Sequence, residues 1–201
     1  MARLALNKSS LSEQGKRLRI YERHLPSLDL KRRQLIAERA RARKELETTR
    51  DHIEALAASI GRDLPMLSTE AVDPSGLVNI GHVSIEQENI VGVSLPRLHE
   101  VEIVRQAISL LTQPAWLDVL IERLASMLEL RLLGEVQSER VDALEAAVQT
   151  ITQRVNHFEK VLIPRTREHI RRIRIHLSDA ERAAVVAGKI AKRKRAGGEA
   201  P

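Results

Sequence analysis

The sequence has no cysteine, which excludes disulfides, cysteine-based zinc sites and thiol catalysis. Aromatic residues are nearly as scarce: Tyr21, Trp116 and Phe158 are the only three in 201 residues. Compact cores lean on aromatic area, so apolar seams of Leu, Ile, Val and Ala between helices are expected instead. No apolar run approaches the ~20 residues that span a bilayer. The opening MARLALNKSS is too short in its apolar part for a secretory signal, so a cytoplasmic chain with no direct membrane insertion is expected.

Catalytic signatures are missing too. No phosphate loop of the G-x-x-x-x-G-K-[ST] type occurs, so the chain is not expected to bind nucleotide itself. The histidines (His24, His52, His82, His99, His157, His169 and His176) are scattered. His169 and His176 share a helix face seven residues apart, but no third ligand stands near, and both are expected to face solvent. Glu86 and Glu88 fall at a charged hairpin tip with no nucleophile or base beside them. No enzyme site, cofactor or metal is expected.

Charge is abundant but uneven. Lys189, Lys192, Arg193, Lys194 and Arg195 supply +5 of the net +6. The remaining body is nearly neutral. The basic character therefore belongs to a C-terminal tail (189–201), expected to be mobile, and argues against a nucleic-acid-binding surface.

What is present is helical periodicity. Ser9 or Ser10 is placed to cap a helix starting near Leu11. Counting in sevens from Leu11 and from Gln14 gives fifteen positions up to Ile60, and eleven of them are apolar, including Leu18, Tyr21, Leu25, Leu28, Leu35, Leu46 and Ile53. That is a sustained heptad pattern over 11–60, a rod of ~75 Å at about 1.5 Å per residue. Pro26 interrupts it and is expected to kink the helix. Arg32 and Arg39 stand at seam positions; either they snorkel at the seam edge or the seam opens there toward another subunit.

Gly61 and Leu64-Pro65 end the rod, and a loop is expected up to Leu77. Alternation through Val83, Ile85, Val91, Val93 and Leu95 predicts a short β-hairpin, turning at 86–89 and closed by Pro96. Leu98, Val101, Val104, Ile108 and Leu111 then predict a short helix over 98–111. Thr112-Gln113-Pro114 restarts a final helix from about Pro114 to at least Leu177 and on toward Gly188, with Gly134 as a soft point. Its stripe runs through Val148, Ile151, Val155, Phe158 and Leu162. A second stripe, Ile163, Ile170, Ile173 and Leu177, is displaced by one position at Pro164. The expected fold is thus mainly α: an antiparallel two-helix coiled coil of the terminal helices (1–62 and 114–188), with a middle segment (63–113) holding the hairpin and short helix.

Two stretches carry a resemblance. LNKSSL (6–11) followed by LPSLDLKRRQL (25–35) resembles the opening helix of the central-stalk D subunit of vacuolar/archaeal-type rotary ATPases. RVNHFEKVLIPRTREHIRRI (154–173) is similar to that family's other signature, most tellingly at Arg154-Val155-Asn156, Glu159 and Ile163-Pro164-Arg165. The likeness covers both long helices, about two-thirds of the chain. It implies a non-catalytic axle inserted into a hexamer of alternating A and B subunits, peripheral to the inner membrane. The middle region would bind the F subunit of the stalk and reach the C subunit capping the membrane rotor, so coupling ATP synthesis or hydrolysis to proton or sodium movement. In that setting Arg32, Arg39 and the Lys189–Arg195 cluster become candidate ring contacts, and Pro26 and Pro164 a source of asymmetry. The competing reading is a stand-alone coiled-coil scaffold or tether, which predicts a stable homo-oligomer.

Overall fold

The computed structural model describes residues 4–65, 76–106 and 116–196. Helix α1 (Lys8–Asp63) is followed by strands β1 (Val78–Ile90) and β2 (Val93–Arg105), helix α2 (Trp116–His157), a π-helical turn (Phe158–Leu162) and helix α3 (Ile163–Ala196). The chain is mainly helical, with a two-stranded antiparallel sheet between the long helices. By contacts it divides into two units, residues 1–31 with 151–201, and residues 32–150.

In the first unit α1 begins one turn before the expected start. The cap is Asn7, whose Oδ1 accepts the Ser10 N–H at 2.7 Å; Ser9 and Ser10 lie inside the helix. Lys8 faces Glu181 at 3.9 Å and Glu22 faces Arg167 at 2.8 Å, so the two stretches run antiparallel. Between them Tyr21 and Phe158 meet edge-to-face at 5.5 Å. Val155, Ile163, Ile170 and Ile173 are buried on the facing side.

The displaced stripe has a definite structural form. The Ile163 N–H donates to the carbonyl of Phe158, five residues back, so one extra residue is inserted into the helix. Along the seam, buried Ile151 and Val155 and half-buried Phe158 are followed by buried Ile163, Thr166, Ile170 and Ile173, with Leu162 half-buried beside Ile163, so that Phe158 and Ile163 stand five apart. The interval of five absorbs the insertion and keeps the later residues on the same face. Pro164 follows at once, where a proline has no N–H to give and the widened turn relieves its ring. Pro26 stays inside α1 and is exposed, as is Pro164. Pro26 lies four residues beyond Glu22 and Pro164 three before Arg167, so the two fall at one level of the pair.

In the second unit the end of α1 and the start of α2 are also antiparallel. Arg43 pairs with Glu145, and Arg123 reaches Asp63 at 3.4 Å and Ser59 at 3.3 Å. Gly134 lies inside α2, where a Cβ would meet Ile53 and Thr49 at 3.8 and 3.9 Å. Leu64, Leu77, Leu117, Leu120 and Ile121 form a buried cluster beyond the end of α1. Each such side chain contributes about 1.5–3 kcal/mol on burial.

The middle segment corrects two expectations. The predicted helix over 98–111 is absent through Arg105: those residues complete β2, and 107–115 lie outside the described residues, as does the loop at 66–75. The hairpin is longer and turns later, at Val91-Gly92, both with positive φ (53° and 74°). Asn89 Oδ1 accepts the Gly92 N–H at 2.9 Å, while 86–89 remain in β1. Pro96 does not close the hairpin but sits within β2 opposite Gln87. Alternation from the closing pair Ile90–Val93 makes this a non-hydrogen-bonded pair, where the missing N–H costs nothing.

Two bulges explain the difference. His99 lies unpaired between the pairs Ser84–Glu100 and Ile85–Leu98, and Gly81 between Ile80–Ile103 and His82–Glu102. The extra residue at His99 turns a spacing of two into three, so Leu98 and Val101 share a face and imitate a helix. Gly81 is required by close approach, since a Cβ there would sit 2.8 Å from Val104 Cγ2.

The expected end near Gly188 is not a helix end. α3 runs to Ala196, so 189–196 is helix rather than a loose tail, and 197–201 lie outside the described residues.

Candidate interaction surface

All fifteen heptad positions of α1, from Leu11 to Ile60, are buried or half-buried. Within this set Leu35 and Leu46 are buried, and Leu18, Leu25, Leu28 and Ile53 are half-buried. On the opposite helices Val148, Ile151, Val155, Ile163, Ile170 and Ile173 are buried, with Phe158, Leu162 and Leu177 half-buried. Arg32 and Arg39 are half-buried, and Arg32 has an interaction partner. Lys189, Lys192, Arg193, Lys194 and Arg195 are fully on the surface of α3. From 179 through 195 every residue is exposed, including Val185, Val186 and Ile190 at 52–58%. Lys8 and Glu181 pair near the start of α1, and among the described residues none from 182 to 195 is buried.

Glu88 pairs with Arg140 at 3.0 Å, and His99 Nδ1 lies 3.7 Å from Glu86, both in mid-strand rather than at a hairpin tip. His176 is exposed as expected, but His169 is half-buried. Among the described residues no three His, Cys, Asp or Glu gather as a metal site, and no helix is long and apolar enough to cross a membrane.

Periodicity alone misses one feature. A groove of about 790 Å³ runs beside the Tyr21–Phe158 contact in the first unit, bordered by Gln14, Arg17, Leu162, Arg165, His169 and Arg172. Its visible sign in the sequence is Gln14, a polar residue on a heptad seam. The signal is a violated pattern.

Long helices that run antiparallel within each unit, with a β-hairpin between α1 and α2 in chain order, define a mainly helical protein of paired long helices. The profile of the family described as the D subunit of ATP synthase matches residues 10–193. The V-type ATP synthase D subunit of Borreliella burgdorferi is 31% identical over 192 residues, 96% of this chain and 95% of that protein. Those of Chlamydia pneumoniae and Chlamydia muridarum are each 33% identical, over 94% and 96% of this chain and 91% and 96% of theirs. The chain belongs to the ATP synthase D-subunit family.

Proposed function

We propose that this chain is the central rotor shaft of a V/A-type ATPase or ATP synthase. It transmits torque between a catalytic hexamer of A and B subunits and the membrane rotor, coupling ATP synthesis or hydrolysis to proton or sodium transport. The observation that carries this reading is the family match across both terminal helices, joined to a fold whose helices are antiparallel within each unit. A shaft acts by shape. It needs stiff helices, surface for neighbours and no chemistry of its own, so its role in the enzyme complex is structural. The F subunit of the stalk and the C subunit capping the membrane rotor are the further partners, and the complex is held peripherally on the cytoplasmic side of the membrane.

Asymmetry is part of this reading, because a symmetric rod cannot distinguish three ring sites. The π turn and the two prolines lie at one level of the helix pair and supply a local departure from regular coiling. The test is purification of the tagged chain from its host. Stoichiometric recovery of two large nucleotide-binding polypeptides supports the shaft; recovery of the chain alone as a stable homo-oligomer overturns it in favour of a free-standing tether.

A further inference from the structure

In the second unit α1, the hairpin and α2 meet at a crevice of about 370 Å³. α1 supplies Glu45, the hairpin Glu88, Arg97 and Leu98, and α2 Gln137 and Arg140. One ion pair joins the hairpin to α2 there, with Arg140 donating to Glu88 at 3.0 Å. Glu45 and Arg97, opposite in charge and carried by different walls, have no ion pair among the described residues. Glu86, opposite Arg97 in the strand register, faces His99 at 3.7 Å instead. The remaining observation is independent of charge. Gln137 stands one turn before Arg140, and its Oε1 is buried with no hydrogen-bond donor. A carbonyl sealed from water without a donor is unfavourable, and a movement that supplies one is favoured.

We propose that the hairpin is a strap that closes on the two helices, bringing the Arg97 guanidinium onto the Glu45 carboxylate and Gln137 Oε1. A guanidinium carries five N–H donors, so one group serves both acceptors while Arg140 stays on Glu88 and holds the strap in place. The last torsion of a glutamine side chain is soft, which lets Oε1 turn out of its sealed position as Arg97 arrives. Apolar burial acts in the same direction. Pro96, Leu98 and Leu133 are half-buried on the crevice walls and lose more of their water on closure. An exposed ion pair shifts a two-state balance by up to about fivefold, so Glu45 and Arg97 bias the strap rather than lock it.

The chain has no cysteine, so two spin labels go cleanly onto the full chain at Thr48→Cys in α1 and Glu100→Cys in β2, both exposed positions. Double electron–electron resonance is expected to show two distance populations. Glu45→Gln and Arg97→Gln should each lower the ratio of the shorter to the longer by about two- to fivefold, and the swap of Glu45→Arg with Arg97→Glu should restore it. Raising salt from about 0.05 to 1 M should lower the ratio in the same direction. Gln137→Leu should lower it by about fivefold or more, because leucine needs no donor in the open position. A single population, or a ratio that these changes leave unmoved, overturns the strap. A second readout needs no label. In the Arg97→Lys variant a carbodiimide, which joins an amine to a touching carboxylate, is expected to link position 97 to Glu45 as well as to Glu86, its neighbour across the strands. A link to Glu86 alone overturns closure.

Discussion

At the scale of single residues, the stability of this protein is open to improvement at two backbone positions. Val91 is β-branched and holds φ at 53° in the hairpin turn, a region that favours Asn or Gly. Val91→Asn is expected to stabilise the protein by about 1 kcal/mol, read as a shift in the denaturant midpoint with an unchanged slope. Gly134 is the second. Its added Cβ meets Ile53 and Thr49 at ordinary van der Waals distance, so Gly134→Ala gains helix propensity without a clash. A gain of about 0.5–1 kcal/mol is expected by the same measurement; a loss would mean that the helices approach more closely there. Gly81 behaves oppositely. Gly81→Ala brings a Cβ to 2.8 Å from Val104 and should destabilise the hairpin.

At the scale of elements, the π turn is the feature with consequences. Deleting Val161, which is exposed, removes the inserted residue and leaves Phe158 and Ile163 at a spacing of four. The later buried residues stay on the stripe, so the variant is expected to fold with helix content unchanged. Deleting Ala147 instead carries one side of the stripe, from Val141 and Leu144 or from Val148 and Ile151, off its face. Burying each such residue is worth about 1.5–3 kcal/mol, so this variant should lose most of its cooperative unfolding. Thermal melts followed by circular dichroism distinguish the two; equal loss in both would mean that the π turn is fixed by local contacts rather than by register. The same stretch shows what the sequence makes readable. Heptads in α1 and the jump at Pro164 were legible because helical burial repeats every three or four residues with little interruption. β2 was not legible. Its bulge at His99 broke the alternation of two and produced a spacing of three that belongs to helices, and a Val-Gly turn carries a weaker signal than Asn-Gly. The cap is Asn7, two residues ahead of Ser9 and three ahead of Ser10, and the serines fall inside the first turn. The groove was hidden for another reason: it needs residues about 150 positions apart, such as Gln14 and Arg165, to be brought together.

At the scale of the molecule, charge and fold are separable. Five cations that dominate the net charge of +6 sit on a helical end whose residues from 179 to 195 are all exposed. Beyond the Lys8–Glu181 pair, which is itself exposed and worth little, nothing in the described fold leans on this end. Removal of residues 189–201 should therefore leave the melting temperature within about 2 °C of the full chain, since substitutions on such surface shift stability by less than about 0.5 kcal/mol. Assembly is where the loss should appear. If the proposed shaft places this end among carboxylates of its ring, the truncated chain will recover fewer nucleotide-binding partners at low ionic strength. The deficit should shrink as salt screens the full-length chain over about 0.05–0.3 M. A deficit that does not change with salt would point instead to Val185, Val186 and Ile190 losing a supporting turn, because burial of apolar surface is not screened. Equal recovery at every salt concentration would remove the basic end from assembly altogether, leaving recognition to the paired helices.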